Sequence, residues 1–276
     1  MNWFEKIIYA LAGGMNPPEM YSPFHIVSIL LTLLATVCLC FWWLKRPNEK
    51  GLRILVFVCW AVAALLEIYK QVVFSFSYDG EGQTVTWNYS WYAFPFQFCS
   101  SPLYLLPFIV FLKDGKLRDS MLSFLSTFGL FGGLIVMIYP STVFTETVGI
   151  NIQTMIHHGL QIALGILFAV YSRKKINLFW FFRGILVYFV MVAIAQLLNF
   201  LVPLRIDEEF NMFYISPKFD CILPVLSTIY VKMPYPVFFL IYLFGFIMIA
   251  TIIYGISRLT FFLIALLKKK ATKESM

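Results

Sequence analysis

The sequence has few charged residues and few cysteines. Charged side chains make up 13% of its 276 residues, whereas soluble domains carry about 25%. The five cysteines form no C-x-x-C pair, which is the usual spacing of a zinc site. No small-residue cleavage site follows the first apolar stretch, so we expect no cleaved signal, and no nucleic-acid-binding motif is present. These absences argue against a soluble domain, a metal centre and a nucleic-acid-binding protein.

Long apolar segments fill most of the chain. Hydrophobic residues make up 61% of the sequence, and the mean hydropathy is +0.82. A helix needs about 20 apolar residues to cross the hydrocarbon layer. We therefore predict an all-α polytopic membrane protein with a single domain, residues 1–276. Its seven predicted spans cover residues 23–44, 54–76, 92–112, 120–139, 153–171, 178–201 and 234–264.

The loops between these spans differ in charge. Lys and Arg are concentrated in the loops after the first, third and fifth spans and in the tail 268–276, and none occurs in 77–91 or 140–151. Because basic loops stay on the cytoplasmic side, we predict an outer N-terminus, a cytoplasmic C-terminus and a location in the plasma membrane. The outer loop 202–233 is long enough to form a lid or a re-entrant segment.

Polar side chains within the spans share one depth. At 1.5 Å per residue they lie within roughly 15 Å of the outer surface, and the cytoplasmic halves are nearly free of such groups. The layer consists of His25, Glu67, Lys70, Gln71, Gln97, Cys99, His157, His158, Gln196 and Asn199. Ionisable groups at this depth are costly, so each is a candidate for function.

Each member of the layer also has a purely structural interpretation. Glu67 and Lys70 lie on one helical face and can neutralise each other. The glutamines can serve as hydrogen-bonding links between helices, and His25 can be solvated at the membrane interface. A lone cysteine in a membrane helix is usually inert, and Cys221 is either a free thiol or a disulfide partner of Cys99.

Cys99 has the surroundings of a reactive thiol. Pro95 and Pro102 flank it, so it is expected to lie near a helix N-terminus, where the helix dipole favours the thiolate. An imidazole from another helix would complete a Cys–His pair for acyl transfer. His157 and His158 point about 100° apart on a helix, so only one of them can face Cys99 squarely.

At these residues the chain resembles the YwaF-like integral membrane proteins of bacteria, which are related to the transmembrane protein 164 acyltransferases of animals. The resemblance covers most of the chain. It rests on residues 22–25 (SPFH), Glu67, 94–100 (FPFQFCS), 158–159 (HG), Asn199 and 211–213 (NMF).

The resemblance implies a seven-helix fold and an acyltransferase that acts on phospholipids with a catalytic cysteine and histidine. Carried over, the cysteine is Cys99. The histidine is His158, because a glycine follows it as in the family pattern, and His157 is an additional neighbour. The family's leucines around the cysteine are phenylalanines here, which changes the shape of a pocket and not the chemistry.

The resulting hypothesis is a membrane acyltransferase or transacylase for phospholipid or lysolipid acyl chains. Cys99 forms a thioester, and His158 moves the proton. We expect no cofactor, and membrane lipids are the expected partners, with no protein partner evident. The residues expected to bind or orient the substrate are His25, Glu67, Gln97, Asn199 and Asn211; Gln97, Asn199 or a backbone N–H near Cys99 would hold the oxyanion.

Two other functions fit the same layer of polar groups. A transporter or solute-binding protein would use the layer as a substrate or proton site, and broken helices at prolines agree with either function. A signalling receptor is a third possibility, supported only by the number of spans.

Overall fold

The computed structural model describes residues 2–79, 84–206 and 208–274. Within them the chain forms ten α-helices and one antiparallel hairpin. The helices are α1 (Trp3–Leu11), α2 (Pro23–Lys45), α3 (Glu49–Val73), α4 (Ser101–Phe111), α5 (Lys116–Phe124), α6 (Leu130–Ile138), α7 (Val148–Ser172), α8 (Leu178–Leu201), α9 (Leu226–Lys232) and α10 (Tyr235–Glu274); the hairpin pairs β1 (Phe76–Asp79) with β2 (Thr84–Trp87). A π-helical segment, Leu125–Gly129, joins α5 and α6 into one continuous helix.

Six helices in the described part of the chain are long and apolar enough to cross a membrane. They are Pro23–Lys45, Glu49–Val73, Lys116–Ile138, Val148–Ser172, Leu178–Leu204 and Tyr235–Thr272. The prediction of a helical multi-pass membrane protein is therefore confirmed. The assignment of each loop to one side of the membrane remains a prediction.

The predicted third span, 92–112, is not a full-length helix. The helical part is Phe98–Phe111, which at 1.5 Å per residue is about 20 Å long and too short for a hydrocarbon layer of about 30 Å. The reason is Pro95, which forces Phe94 into an extended conformation with ψ of 134°. The prediction of seven full spans is therefore wrong by one, and the third is a short helix that begins at the Cys99 turn.

Helix α7 lies at the centre of the bundle. Of its most apolar 18-residue window, 72% is buried, against 11% for α2 at the periphery. It packs on α2, α3 and α6. A Cβ added at Gly133 of α6 would lie only 2.9 Å from the backbone oxygen of His158. This close approach, typical of small residues between membrane helices, fixes the histidine-bearing turn of α7 against α6.

Part of the long loop 202–233 enters the bundle. We call residues 210–216 the plug. Four of its apolar side chains are fully buried among the helices: Phe210, Met212, Phe213 and Ile215. The 202–233 loop therefore carries structure of its own, as its length indicated, although Asp207 lies outside the described residues.

A buried arginine at the other end of α4 was not anticipated. Arg118 is 1% exposed and donates to the Ile109 carbonyl (2.9 Å) and forms an ion pair with Glu49. Arg53 donates to the carbonyls of Val110 and Leu112 at 2.6 and 2.7 Å. The last carbonyls of a helix have no partner within it, so these two arginines close the C-terminus of α4. Both arginines lie just outside the predicted spans 54–76 and 120–139, in segments that were predicted as basic loops.

Candidate functional site

Cys99 lies in a single helical turn, Phe98–Ser100, that leads directly into α4. Gln97 before this turn is extended, with ψ of 162°, so the chain turns sharply just ahead of the thiol. Cys99 is half-buried, and its thiol is free, as is that of Cys221. The predicted position at the N-terminus of a helix is confirmed. The two cysteines form no disulfide.

His157 contacts the backbone of Cys99. Its Nε2 lies 2.8 Å from the Cys99 carbonyl oxygen, and Gln161 donates to the same oxygen from 3.1 Å. A carbonyl only accepts, so Nε2 carries the hydrogen and Nδ1 is left as the acceptor. His157 Nδ1 is buried and has no hydrogen-bond partner among the described residues. His157 thus bonds the Cys99 backbone through Nε2 and keeps Nδ1 as an unengaged acceptor.

His158 faces a different neighbour. Its Nδ1 lies 2.7 Å from the Thr154 carbonyl one turn earlier in α7. The two imidazole rings meet edge to face, with centroids 5.3 Å apart. The resemblance pointed to His158 as the partner of Cys99, whereas the structure brings His157 to the Cys99 backbone. The difference arises from the rotation of α7 in the bundle, which adjacency in sequence does not determine.

Glu67 and Lys70 form an ion pair at 2.8 Å, as their spacing predicted. Glu67 also accepts from Gln71 Nε2 (2.7 Å), and Gln71 reaches the Ala93 carbonyl at 2.8 Å. Within the described residues Glu67 makes no hydrogen bond to a histidine.

The amides expected to hold an oxyanion are bonded to the plug. Gln97 donates to the Asn211 carbonyl (3.0 Å) and accepts from Phe213 N–H (2.9 Å). Asn199 donates to the Met212 carbonyl (2.9 Å) and accepts from Met212 N–H (2.6 Å). The Asn211 side chain closes a turn within the loop by accepting from Ser216 N–H at 2.9 Å. These three residues therefore hold the plug in place, and Gln97 ties it to the Cys99 turn.

Replacing Asn199 by alanine is expected to lower the free energy of unfolding by about 2–4 kcal/mol, because the buried N–H and carbonyl of Met212 both lose their partner. Thermal unfolding of the detergent-solubilised protein measures this loss, and limited proteolysis of 202–233 reports release of the plug. The exposed Asn88→Ala is the control. An unchanged melting temperature and cleavage rate in Asn199→Ala would refute the role given to the two hydrogen bonds.

His25 links two helices. Its Nδ1 accepts from Tyr21 N–H (2.9 Å), and its Nε2 lies 3.0 Å from the Met137 carbonyl at the end of α6. Both ring nitrogens are thus occupied. His25 is fully buried rather than solvated, and these contacts fasten the start of α2 to α6.

Two spaces adjoin the polar layer. One is a small cavity behind His157 and Gln161, whose other walls include Cys59, Leu106 and Leu125. The other is an open groove of about 440 Å³ lined by α1, α3 and the hairpin, with the Glu67 carboxylate in its wall. The first keeps His157 in apolar surroundings, and the second opens towards the ion pair from outside the bundle.

Sequence reasoning missed Gln161, which donates to the Cys99 carbonyl. Gln161 lies four residues after His157, so the i, i+4 spacing on α7 was an available signal. Among the described residues, no cluster of three or more His, Cys, Asp or Glu side chains could hold a metal ion.

Comparison with known proteins agrees with this architecture. No match to the chain is found among curated proteins or solved structures. The model of the TMEM164 family matches residues 20–255, which include all the spanning helices except the C-terminal part of α10, and the whole polar layer. The chain therefore belongs to the TMEM164 family.

Proposed function

We propose that this protein is a membrane-embedded acyltransferase that transfers an acyl chain from a phospholipid to a lysolipid or another lipid hydroxyl through Cys99. The observation that supports this best is the pairing of Cys99 with His157. Cys99 lies at a helix N-terminus, its backbone carbonyl is bonded to His157 Nε2, and His157 Nδ1 is buried with no hydrogen-bond partner in the described chain.

The reaction has two halves. The Cys99 sulfur attacks the ester carbonyl, His157 takes the thiol proton at Nδ1, and the C–O bond breaks as the proton passes to the leaving alcohol. A thioester and a lysolipid result. In the second half an acceptor hydroxyl gives its proton to His157 and attacks the thioester, which restores the thiol. No oxidant, reductant or cofactor is needed.

The apolar surroundings suit a lipid substrate. The small cavity behind His157 has mainly apolar walls, and apolar surroundings disfavour hydrolysis of a thioester. The groove between α1 and α3 gives a lipid lateral access to Glu67. Glu67 and Lys70 neutralise each other and, in this proposal, set the local field rather than transfer protons.

Covalent labelling tests the proposal directly. The detergent-solubilised protein is treated with an alkyne-tagged long-chain acyl ester that has a good leaving group. We expect one label, released by neutral hydroxylamine as a thioester is, present in wild type and absent in Cys99→Ala. Cys40→Ala is the matched control, because Cys40 is a half-buried thiol on another helix.

Labelling that persists in Cys99→Ala would refute the proposed nucleophile. A complete absence of acyl labelling in folded wild-type protein would instead favour transport or solute binding by the same polar layer. The buried Glu67–Lys70 pair and the interrupted third helix agree with that second function.

A further inference from the structure

Helix α1 presents an apolar side that the described residues leave exposed. Trp3, Ile7 and Leu11 recur every four residues and therefore share one side of the helix, where Trp3 is 75% exposed and Ile7 is 50% exposed. We call this the exposed side. Phe4 and Ile8 form the neighbouring packed side, and Ile8 is only 4% exposed. An exposed apolar strip of this kind marks a contact with a membrane or with a second protein.

Two contacts hold α1 against the end of α3. The Tyr69 hydroxyl donates to the Leu11 carbonyl at 2.7 Å, and the Phe4 ring meets Phe76 edge to face with centroids 5.9 Å apart. Tyr69 lies about 6 Å from the last residue of α3, Val73, at 1.5 Å per residue, and Phe76 lies three residues beyond it. Helix α1 is therefore fixed at the level where α3 ends.

This level is that of the membrane surface, because α3 is one of the six spanning helices. The nine residues of α1 are about 14 Å long, which is too short to cross the hydrocarbon layer. A short amphipathic helix instead lies in the membrane plane with its apolar side about 5–10 Å deep at the headgroup boundary. Trp87 of the adjoining hairpin is also exposed, as in an aromatic belt. The bilayer is therefore the partner that fits the exposed side.

The packed side of α1 borders the groove beside Glu67. Phe4 and Ile8 face Ile68 and Val72 of α3 across it. Its volume of about 440 Å³ falls within the range of about 300–1,000 Å³ typical of ligand pockets. Ile68 is also 60% exposed on a spanning helix, so the groove is continuous with a surface that contacts lipid. A lipid can pass from that surface into the groove without crossing a polar wall.

We infer that α1 is a membrane-surface helix that forms the entry for a phospholipid. Trp3, Ile7 and Leu11 lie among lipid acyl chains. Phe4 and Ile8 form the wall along which one acyl chain passes from the bilayer into the groove. The identity of that lipid as a substrate rests on the proposed function, whereas the position of α1 and the occupation of the groove do not.

Fluorescence quenching in phosphatidylcholine proteoliposomes measures the position of α1. Ile7→Cys and Lys6→Cys each carry a nitrobenzoxadiazole label, and wild type treated in parallel corrects for label on native cysteines. Lys6 is the matched control, because adjacent helical residues point about 100° apart. We expect phospholipids spin-labelled near the top of the acyl chain to quench the label at position 7 at least about threefold more than at position 6, and aqueous iodide to show the reverse.

Two results of this measurement would overturn the inference. The first is equal quenching at the two positions, or stronger quenching by the lipid at position 6. The second is protection of position 7 from both quenchers, which would show that a protein covers the exposed side.

Photocrosslinking tests the entry without requiring acyl transfer. The proteoliposomes contain phosphatidylcholine with a diazirine in one acyl chain, and mass spectrometry locates the crosslinks. We expect crosslinks on Ile8, which bulk lipid does not reach, in wild type and Cys99→Ala alike. They should be lost in Val72→Trp, whose indole fills the groove. Leu65, which is exposed on α3, is the control and should be crosslinked in all three proteins.

The outcomes separate the entry from the proposed function. The absence of crosslinks on Ile8 in wild type, with Cys99 acylated by the tagged ester, would overturn the entry alone. Crosslinks on Ile8 that persist at the wild-type level in Val72→Trp would also overturn it. The expected crosslinks together with acyl labelling that survives in Cys99→Ala would support the entry and refute the proposed nucleophile.

Discussion

Replacing Cys99 by alanine is expected to abolish acyl transfer and to leave the amount of folded protein unchanged. A covalent mechanism has no route without its nucleophile, and in other enzymes loss of the nucleophile costs about 10⁴-fold or more. The thiol is half-buried and small, so its removal should cost at most about 1–2 kcal/mol of stability. Release of tagged lysolipid from a tagged phospholipid in proteoliposomes measures turnover, and thermal unfolding measures stability.

Two further variants test whether the loss of acyl turnover comes from the missing nucleophile rather than from altered packing. Cys40→Ala should turn over at the wild-type rate. Cys99→Ser keeps the shape of the side chain and replaces the thiol with a far weaker acid, so it should fall nearly as far as the alanine variant. Turnover in Cys99→Ala within tenfold of wild type would contradict the covalent mechanism. It would favour the alternative in which the Glu67–Lys70 ion pair is a solute-binding site.

Much of the fold follows from elementary features of the chain. Runs of about 20 apolar residues locate the six spanning helices, whose ends agree with the predictions to within a few residues except at the starts of α3 and α7 and the end of α10. Pro95 and Pro102 predicted that Cys99 lies at a helix start, and it does. The same prolines could have shown that 92–112 is too interrupted for a full span. Periodicity and hydropathy do not register such breaks.

The polar layer combines residues that link helices with the residues of the candidate site. In an apolar bundle every amide and imidazole must find a partner, and structural partners are as common as reactive ones. His25 is hydrogen-bonded to the end of α6, and Asn199 is hydrogen-bonded to the plug. The sequence alone does not distinguish these structural residues from Cys99 and His157, because the difference depends on which neighbour each side chain contacts.

The contact between α7 and the Cys99 turn shows what could not be predicted from the sequence. Adjacent histidines differ by about 100° in direction, and only the packing of α7 against α6 decides which one turns towards α4. Gly133 sets that rotation by allowing the His158 backbone to approach α6 closely. Our proposal of His157 rather than His158 therefore depends on the packing of α7. Substituting each histidine in turn tests it.

His157→Gln is expected to reduce acyl turnover about 1000-fold, whereas His158→Gln should reduce it less than tenfold. General-base catalysis contributes about 10²–10⁴-fold, and among the described residues His157 is the histidine that is hydrogen-bonded to Cys99. A glutamine amide can keep the hydrogen bond to the Cys99 carbonyl but cannot accept the thiol proton, so the His157 variant separates basicity from packing. Steady-state turnover in proteoliposomes measures both losses, and melting temperatures identify a variant that is merely unfolded.

The pH dependence of Cys99 alkylation tests the pairing of Cys99 with His157 independently of acyl turnover. In wild type, His157 should make Cys99 reactive near neutral pH. In His157→Gln, iodoacetamide alkylation should become appreciable only as the pH approaches the ordinary thiol pKa of about 8.5, while His158→Gln keeps the wild-type profile. The reverse pattern would make His158 the proton acceptor, as the family resemblance implied. Identical profiles in all three proteins would show that neither histidine activates the thiol, and Cys99 would lose its claim to be a nucleophile.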